Sequence, residues 1–373
     1  MEKPIRILHV LGGTSLGGAE SRIMDLYRHI DRNKVQFDFV VHTEAEGHFD
    51  KEINELGGRI FRVPRFRLYN YFSYRKVWKK FLKQHHEFKV IQGHMTSTAA
   101  IYLPLAKTAG IPITVAHARS AGVDRGIKGG ITRWMRRNLY KKTDYMFTCS
   151  ELAGISVFGE KAQREGKTIF IPNAIDCPAF AYDEGKREEM RRMLGLSDKY
   201  VIGHVGRFHY AKNHEYLLKV FAALKERGKK DYALILLGDG DKIEQFKLLA
   251  EKLGIAKDVH FLGNHNNVYD YYQAMDYFVY PSRFEGLPGT MVEAQTSGLR
   301  CIMSDTICRE VVVTELVKIR SIEETPESWA NDIEATADYE RKTFVAEMQQ
   351  AGFDVESQAR KMLQFYKTGK WNL

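Results

Sequence analysis

Two glutamates eight residues apart, Glu285 and Glu293, flank a glycine-bearing turn in Arg283-Phe284-Glu285-Gly286-Leu287-Pro288-Gly289-Thr290-Met291-Val292-Glu293-Ala294. The apolar run 276–282 before them is short enough to be a buried parallel strand. Pro288 suits a helix start, where its missing N–H costs nothing. Strand, turn and helix start then place the stretch at the carboxyl edge of an open sheet, where such folds bind ligands. Free amides of Gly289 and Thr290 would favour an anion. Glu293, four residues after Gly289, shares that helix face, while Glu285, Gly286 and Leu287 stay in the turn. An anion cradle between two carboxylates suits a nucleotide-sugar: phosphates on the amides, ribose hydroxyls on Glu293, sugar hydroxyls on Glu285. Taken alone, the two glutamates would read as a solvated helix residue and a turn residue.

Other candidates sit at equivalent places. Arg207 and Lys212 bracket the loop that follows an apolar run at 201–205. There an arginine could grip phosphate oxygens bidentately and a lysine act as a point charge. Gly17 and Gly18 lie between a strand-like run at 5–11 and a helical pattern at 19–30. The loop lacks both Gly-x-Gly-x-x-Gly and Gly-Lys-Ser/Thr, which disfavours a dinucleotide or P-loop site. A flexible turn and a diphosphate approach both remain open for it. His117 follows the apolar run 113–116, with Arg119 and Ser120 beside it. Gly238-Asp239-Gly240-Asp241 offers an Asp-x-Asp pair that could tempt a metal assignment, but its glycines read as a strand-to-helix turn with Asp241 as N-cap.

The elements that must position these residues alternate. Strand candidates at 5–11, 35–41, 59–63, 90–92, 113–116, 145–149 and 168–171 are separated mostly by helical patterns, and a second series begins at 201–205 and runs through 233–237, 259–262 and 301–304. That order predicts doubly wound parallel sheets. A length of 373 residues suggests two domains, read as 1–177 and 178–353 with a linker at 177–185. With 44% hydrophobic and 28% charged residues the chain can build sizeable cores. No apolar run reaches the roughly 18 residues of a membrane span. The first residues become strand-like too soon for a signal peptide, so a cytoplasmic location is expected. Cys149, Cys177, Cys301 and Cys308 lack metal-ligand spacing and read as free thiols.

Charge is uneven. Of the net +9, residues 1–180 carry +12 and the remainder −3, so the first half is expected to meet something anionic. Basic and aromatic residues crowd 62–89, and Arg133, Arg136, Arg137 and Tyr140, with Lys141 following, have helical spacing. Such a helix reads as membrane-surface binding, against the plainer reading of a solvated basic face.

The glutamate stretch resembles the glutamate-pair motif of the retaining glycosyltransferases of family 4, the group 1 glycosyl transferases of capsule and exopolysaccharide type. Gly17-Gly18-Ala19-Glu20, His117, Pro172-Asn173, Arg207 and Lys212 are similar to that family's other motifs and stand in its order. His117-Ala118-Arg119-Ser120 departs from the family's usual His-Ser-His-Asn after its first residue, and Ala174 replaces the glycine of Pro-Asn-Gly-Ile-Asp. The resemblance implies a GT-B fold, two Rossmann-like domains with a cleft between them. The first would be the acceptor domain, with a last helix within 354–373 crossing back onto it, and the second the nucleotide-sugar donor domain. It implies His117 and Glu285 on the transferred sugar, Arg207 and Lys212 on the diphosphate, Asn173 and Gly238 in donor-binding turns, and the base held in the loop of Gly263, Asn264 and His265. It also implies transfer with retention from a nucleoside diphosphate sugar, most readily a UDP-sugar, without metal or other cofactor. The acceptor would be lipid-linked or polysaccharide, near Arg119 and Ser120, at an anionic membrane face; nucleic acid is not an expected partner. A nucleotide-sugar epimerase of the same architecture and a non-catalytic basic membrane or nucleic-acid adaptor are the alternatives.

Overall fold

The computed structural model describes residues 3–120 and 127–371. Two compact units divide them, one of residues 1–174 with 354–373 and one of 175–353.

The first unit holds a seven-stranded sheet: β1 (Ile5–Leu11), β2 (Val35–Val41), β3 (Ile60–Arg62), β4 (Phe88–Gly93), β5 (Ile113–Ala118), β6 (Tyr145–Thr148) and β7 (Thr168–Phe170), in the order β3-β2-β1-β4-β5-β6-β7. All neighbouring pairs are parallel, β1 matching β2 from Ile5↔Val35 to Leu11↔Val41. Ile7, Leu8, Val10, Phe37, Val40, Val90 and Ile91 are fully buried, as expected where helices cover both faces of a parallel sheet and the strands read as unbroken apolar runs. The last helix, Val355–Thr368, belongs to this unit and sends Ala359, Met362, Phe365 and Tyr366 into its core.

The second unit repeats the plan with six strands: β8 (Tyr200–Val205), β9 (Tyr232–Leu237), β10 (Val259–Gly263), β11 (Tyr277–Tyr280), β12 (Arg300–Ser304) and β13 (Val317–Arg320), in the order β10-β9-β8-β11-β12-β13. Its core is built from Leu217, Phe221, Leu234, Leu236, Val279, Ile302 and Trp329. In each unit the strand order reverses once, beside β1 in the first and beside β8 in the second. The loops leaving the strands on either side of a reversal diverge and leave a crevice, the place where this topology binds ligands.

Several sequence expectations need correction. β5 continues to Ala118, so His117 lies inside the strand and not in the loop after it. β13 has no counterpart among the expected strands, because Val317-Lys318-Ile319-Arg320 is short and half polar. Asp241 does not cap the helix after β9: that helix is Ile243–Lys252, Lys242 is its N-cap residue, and the carboxylate that closes the turn is Asp239, which accepts the Gly240 amide at 2.7 Å. The stretch read as a linker is packed structure. Cys177 and Phe180 are buried, and Asp183 caps the helix Glu184–Leu194 by accepting the Lys186 amide at 2.8 Å.

Candidate functional site

In the second unit the crevice lies between the loops after β8 and β11, and of the sequence-expected residues Lys212 and Glu285 meet across it. Three contacts fasten the loops together. The Arg283 amide donates to the Ala211 carbonyl at 2.7 Å. Asn213 Nδ2 donates to the Pro281 carbonyl at 3.1 Å. Arg283 Nη2 donates to Asn213 Oδ1 at 2.7 Å. Asn213 has a left-handed backbone, φ 55°, and no other described non-glycine residue has a positive φ. Asparagine tolerates that conformation better than other non-glycine residues, and here its amide also serves both loops. Gly238 approaches from β9: a Cβ there would stand 2.3 Å from the Gly206 carbonyl oxygen, at φ +136°. Close backbone approach and an unusual φ both demand glycine at this position.

Across this crevice Lys212 Nζ meets Glu285 Oε1 at 2.8 Å and donates to the Tyr280 hydroxyl. Burial works against the ammonium, but Glu285 and Tyr280 outweigh it and hold the Lys212 pKa above the usual lysine value. The two motif residues given separate tasks by the sequence reading, one for phosphate and one for sugar, thus form one ion pair. Arg207 is exposed on the same loop and makes no ion pair among the described residues. Gly289–Thr296 is the motif helix, with Pro288 at its N-cap. Glu293 is buried, and its Oε2 accepts the Tyr272 hydroxyl at 2.9 Å. His265 Nε2 lies 2.8 Å from the Leu262 carbonyl, so Gly263, Asn264 and His265 form a self-bonded turn at the end of β10. The helix closes on Ser297, and Gly298 (φ +70°) follows because a Cβ there would fall 1.8 Å from the Lys342 carbonyl oxygen.

In the first unit the reversal brings the loops after β1 and β4 together. Gly17 caps the helix Gly18–His29 without a side-chain bond, and a Cβ on it would lie 2.6 Å from Glu20 Oε2. Glu20 therefore curls back over the helix start, and burial raises its pKa. A carboxylate thus stands beside Gly17, one of the two glycines read as a diphosphate contact.

Beside them stands a cluster of buried histidines. His9 Nδ1 and His94 Nε2 are 3.1 Å apart, and the His94 and His117 rings are 5.3 Å apart. Burial, with Arg119 adding to it, holds the pKa of His94 and of His117 well below the usual value and lowers that of His9 to about 3. All three rings are neutral near pH 7. Arg119 Nη1 donates to Asn173 Oδ1 at 2.8 Å, and burial lowers its pKa to about 10, which leaves it charged. His117 Nε2, His94 Nδ1 and Arg119 Nε are enclosed with no hydrogen-bond partner among the described residues. Ser120 is exposed. Sequence reading found His117, Arg119 and Asn173, and Glu20 only as part of the first loop, but missed His9, His94 and Gln92 as their surroundings. Only the topology brings β1, β4 and β5 side by side.

The expected basic face is smaller than the spacing implied. The helix Ile127–Arg136 stops before Arg137. Arg133, Arg137 and Lys141 are exposed, but Arg136 turns inward, and burial lowers its pKa. Trp134 on that helix is 72% exposed; separately, around the start of the helix Tyr71–Gln84, Leu68, Tyr69 and Phe72 are 55%, 82% and 83% exposed. No helix among the described residues is long and apolar enough to cross a membrane.

Two doubly wound parallel sheets, each with candidate side chains at its reversal, make up a GT-B architecture. The family model described as Glycosyltransferase Family 4 matches residues 16–178, and that described as Glycosyl transferases group 1 matches 186–348. The Bacillus subtilis (strain 168) protein EpsF, named as a glycosyltransferase, is 34% identical over 97% of this chain and 96% of its own. The capsular polysaccharide biosynthesis glycosyltransferase CapH of Staphylococcus aureus is 24% identical over 97% and 98%. Among solved structures, Anabaena HepE in complex with UDP and glucose superposes with a TM-score of 0.78 at 19% identity, covering 98% of this chain and all of that one. The chain belongs to this glycosyltransferase family.

Proposed function

We propose that the chain transfers a sugar, with retention, from a nucleoside diphosphate sugar to a lipid-linked or polysaccharide acceptor in capsule or exopolysaccharide synthesis. The observation that carries this is the crevice beside β8, where exposed Arg207 and the Lys212–Glu285 pair stand on two cross-bonded loops. A departing diphosphate gains negative charge as the glycosidic bond breaks. Arg207, Lys212 and the amides of Gly289 and Thr290 would stabilise that charge, and fixed cations need no reorganisation to do so. Glu285, held by Lys212, would grip sugar hydroxyls and fix the anomeric carbon against the acceptor. UDP as the leaving group is supported by the UDP and glucose of the HepE complex, and the pathway by the name of CapH. Because the carboxylate nearest the proposed sugar is tied up with Lys212, we favour front-face substitution assisted by the leaving group. These protein cations do the work assigned elsewhere to a metal, and activity is expected to survive EDTA.

The test is incubation of the full chain with UDP-sugars, with and without a lipid-linked oligosaccharide acceptor. Transfer with the anomeric configuration kept is the expected result. An inverted product would sink the substitution route, and conversion of the UDP-sugar alone into another sugar nucleotide would point to an epimerase.

The acceptor side is read as peripheral to a membrane. Leu68, Tyr69, Phe72 and Trp134 supply exposed apolar groups, and Arg65, Arg67, Lys76, Arg133, Arg137 and Lys141 supply exposed charge. Aromatic rings at headgroup depth with basic neighbours suit anionic lipid. The protein is expected to co-sediment with anionic vesicles, less so at high salt, and Phe72→Ser with Trp134→Ser should abolish most of the binding. Equal binding to neutral vesicles would count against it.

A further inference from the structure

His117 is linked to the last helix of its unit by a short chain of hydrogen bonds. The Tyr366 hydroxyl meets Gln92 Oε1 at 2.8 Å, and Gln92 Nε2 meets His117 Nδ1 at 2.9 Å. Gln92 lies on β4, His117 on β5 and Tyr366 on the helix Val355–Thr368, and all three are buried. The direction of the chain follows from counting protons. Burial raises the Tyr366 pKa, so the hydroxyl keeps its proton and donates it to Gln92 Oε1. Were the Gln92 amide reversed, its NH2 would face the tyrosine oxygen and the buried O–H would lose that acceptor, at the desolvation cost of an unmade hydrogen bond. With the tyrosine donating, the amide nitrogen must face His117. Nδ1 then accepts, and the single proton of the neutral ring sits on Nε2.

We propose that Tyr366 and Gln92 are positioning residues that lock His117 in the Nε2–H tautomer, so that it offers a ligand a hydrogen-bond donor and never an acceptor. His117 Nε2 is enclosed and has no partner among the described residues, and the Phe147 ring stands edge-on to the imidazole at 5.7 Å. A neutral donor fits a sugar hydroxyl acting as acceptor, or a partial negative charge on a sugar oxygen. That part rests on the transferase reading; the tautomer does not. The sequence hides the arrangement, because Tyr366 lies 274 residues from Gln92.

The test reads the ring directly. The full chain labelled with 15N-histidine is observed by two-bond proton–nitrogen NMR, with His117 assigned by its loss in His117→Ala. The expected wild-type signal has Nε2 protonated and Nδ1 bare. In Gln92→Glu a carboxylate faces Nδ1, and the proton should move to that nitrogen or a second proton should be gained. Tyr366→Phe, which removes one oxygen and keeps the ring, should let the Nδ1–H form appear beside the first. Nδ1 protonated in the wild type would overturn the proposal, and an unchanged spectrum in Tyr366→Phe would remove Tyr366 from it. If UDP-sugar turnover is present, Tyr366→Phe should lower kcat roughly tenfold, the worth of about one hydrogen bond, with little change in KM. A protein that shows no turnover yet has the expected spectrum would refute the transferase reading and leave the tautomer lock standing.

Discussion

Arg207→Ala is expected to lower sugar transfer by about 10²–10³-fold, the usual loss when one preorganised charge-stabilising group is removed, while the melting temperature barely moves. Its side chain is exposed and pairs with no described carboxylate, and surface substitutions of that kind typically change stability by within about 0.5 kcal/mol. Lys212→Ala should show a similar loss of turnover but a different stability. It strips Glu285 of its partner where both side chains are only 17% and 22% exposed. A half-buried carboxylate left alone is costly, though less so than the 3–5 kcal/mol typical of a fully buried one; about 1–2 kcal/mol is expected. The contrast separates charge stabilisation from scaffolding. Paired kcat and urea-unfolding measurements on both variants decide it, and wild-type turnover in Arg207→Ala would remove the proposed role.

The Lys212–Glu285 pair also explains how much of the site could be read from the chain. Arg207, Lys212, Glu285 and Glu293 are each recognisable because a strand-ending apolar run precedes a turn, and a parallel sheet puts such turns at one edge. That logic places residues at an edge without saying which of them touch. Lys212 and Glu285 are 73 positions apart, and they meet because β8 and β11 are neighbours at the strand reversal. Asn213 and Arg283 were given no role for the same reason, since their value lies in holding one loop to the other. Arg136 was misplaced because helical spacing assumes the helix continues, whereas it ends there and the side chain turns inward. The strands were legible wherever both faces were buried, as in Val35–Val41. β13 was not, because its alternating lysine and arginine mute the apolar signal.

Acid should weaken this protein before its carboxylates titrate. Burial lowers the pKa of His9 and His204 to about 3 and of His214 to about 2, and holds those of His94 and His117 well below the usual value. An unfolded histidine titrates near 6.5. Between that value and the folded one, the unfolded chain binds protons that the folded chain refuses, so stability rises with pH across the interval. The contribution is therefore complete above about 6.5 and is lost as pH falls toward the folded values. Each such ring costs about 1.4 kcal/mol between pH 7.5 and 5.5. His9, His94 and His117 act in the same direction in the first unit, as coupled rings whose losses are not a simple sum. Glu20, whose pKa burial raises, pulls the other way, because the folded state gains its proton more readily. His214 offers a clean check in the second unit, since its ring stacks on Phe208 at 4.3 Å and phenylalanine can keep that contact. Urea-unfolding free energies at pH 7.5 and 5.5 should differ by about 1.4 kcal/mol less in His214→Phe than in the wild type. Equal differences in the two proteins would mean that this histidine titrates freely in the folded state.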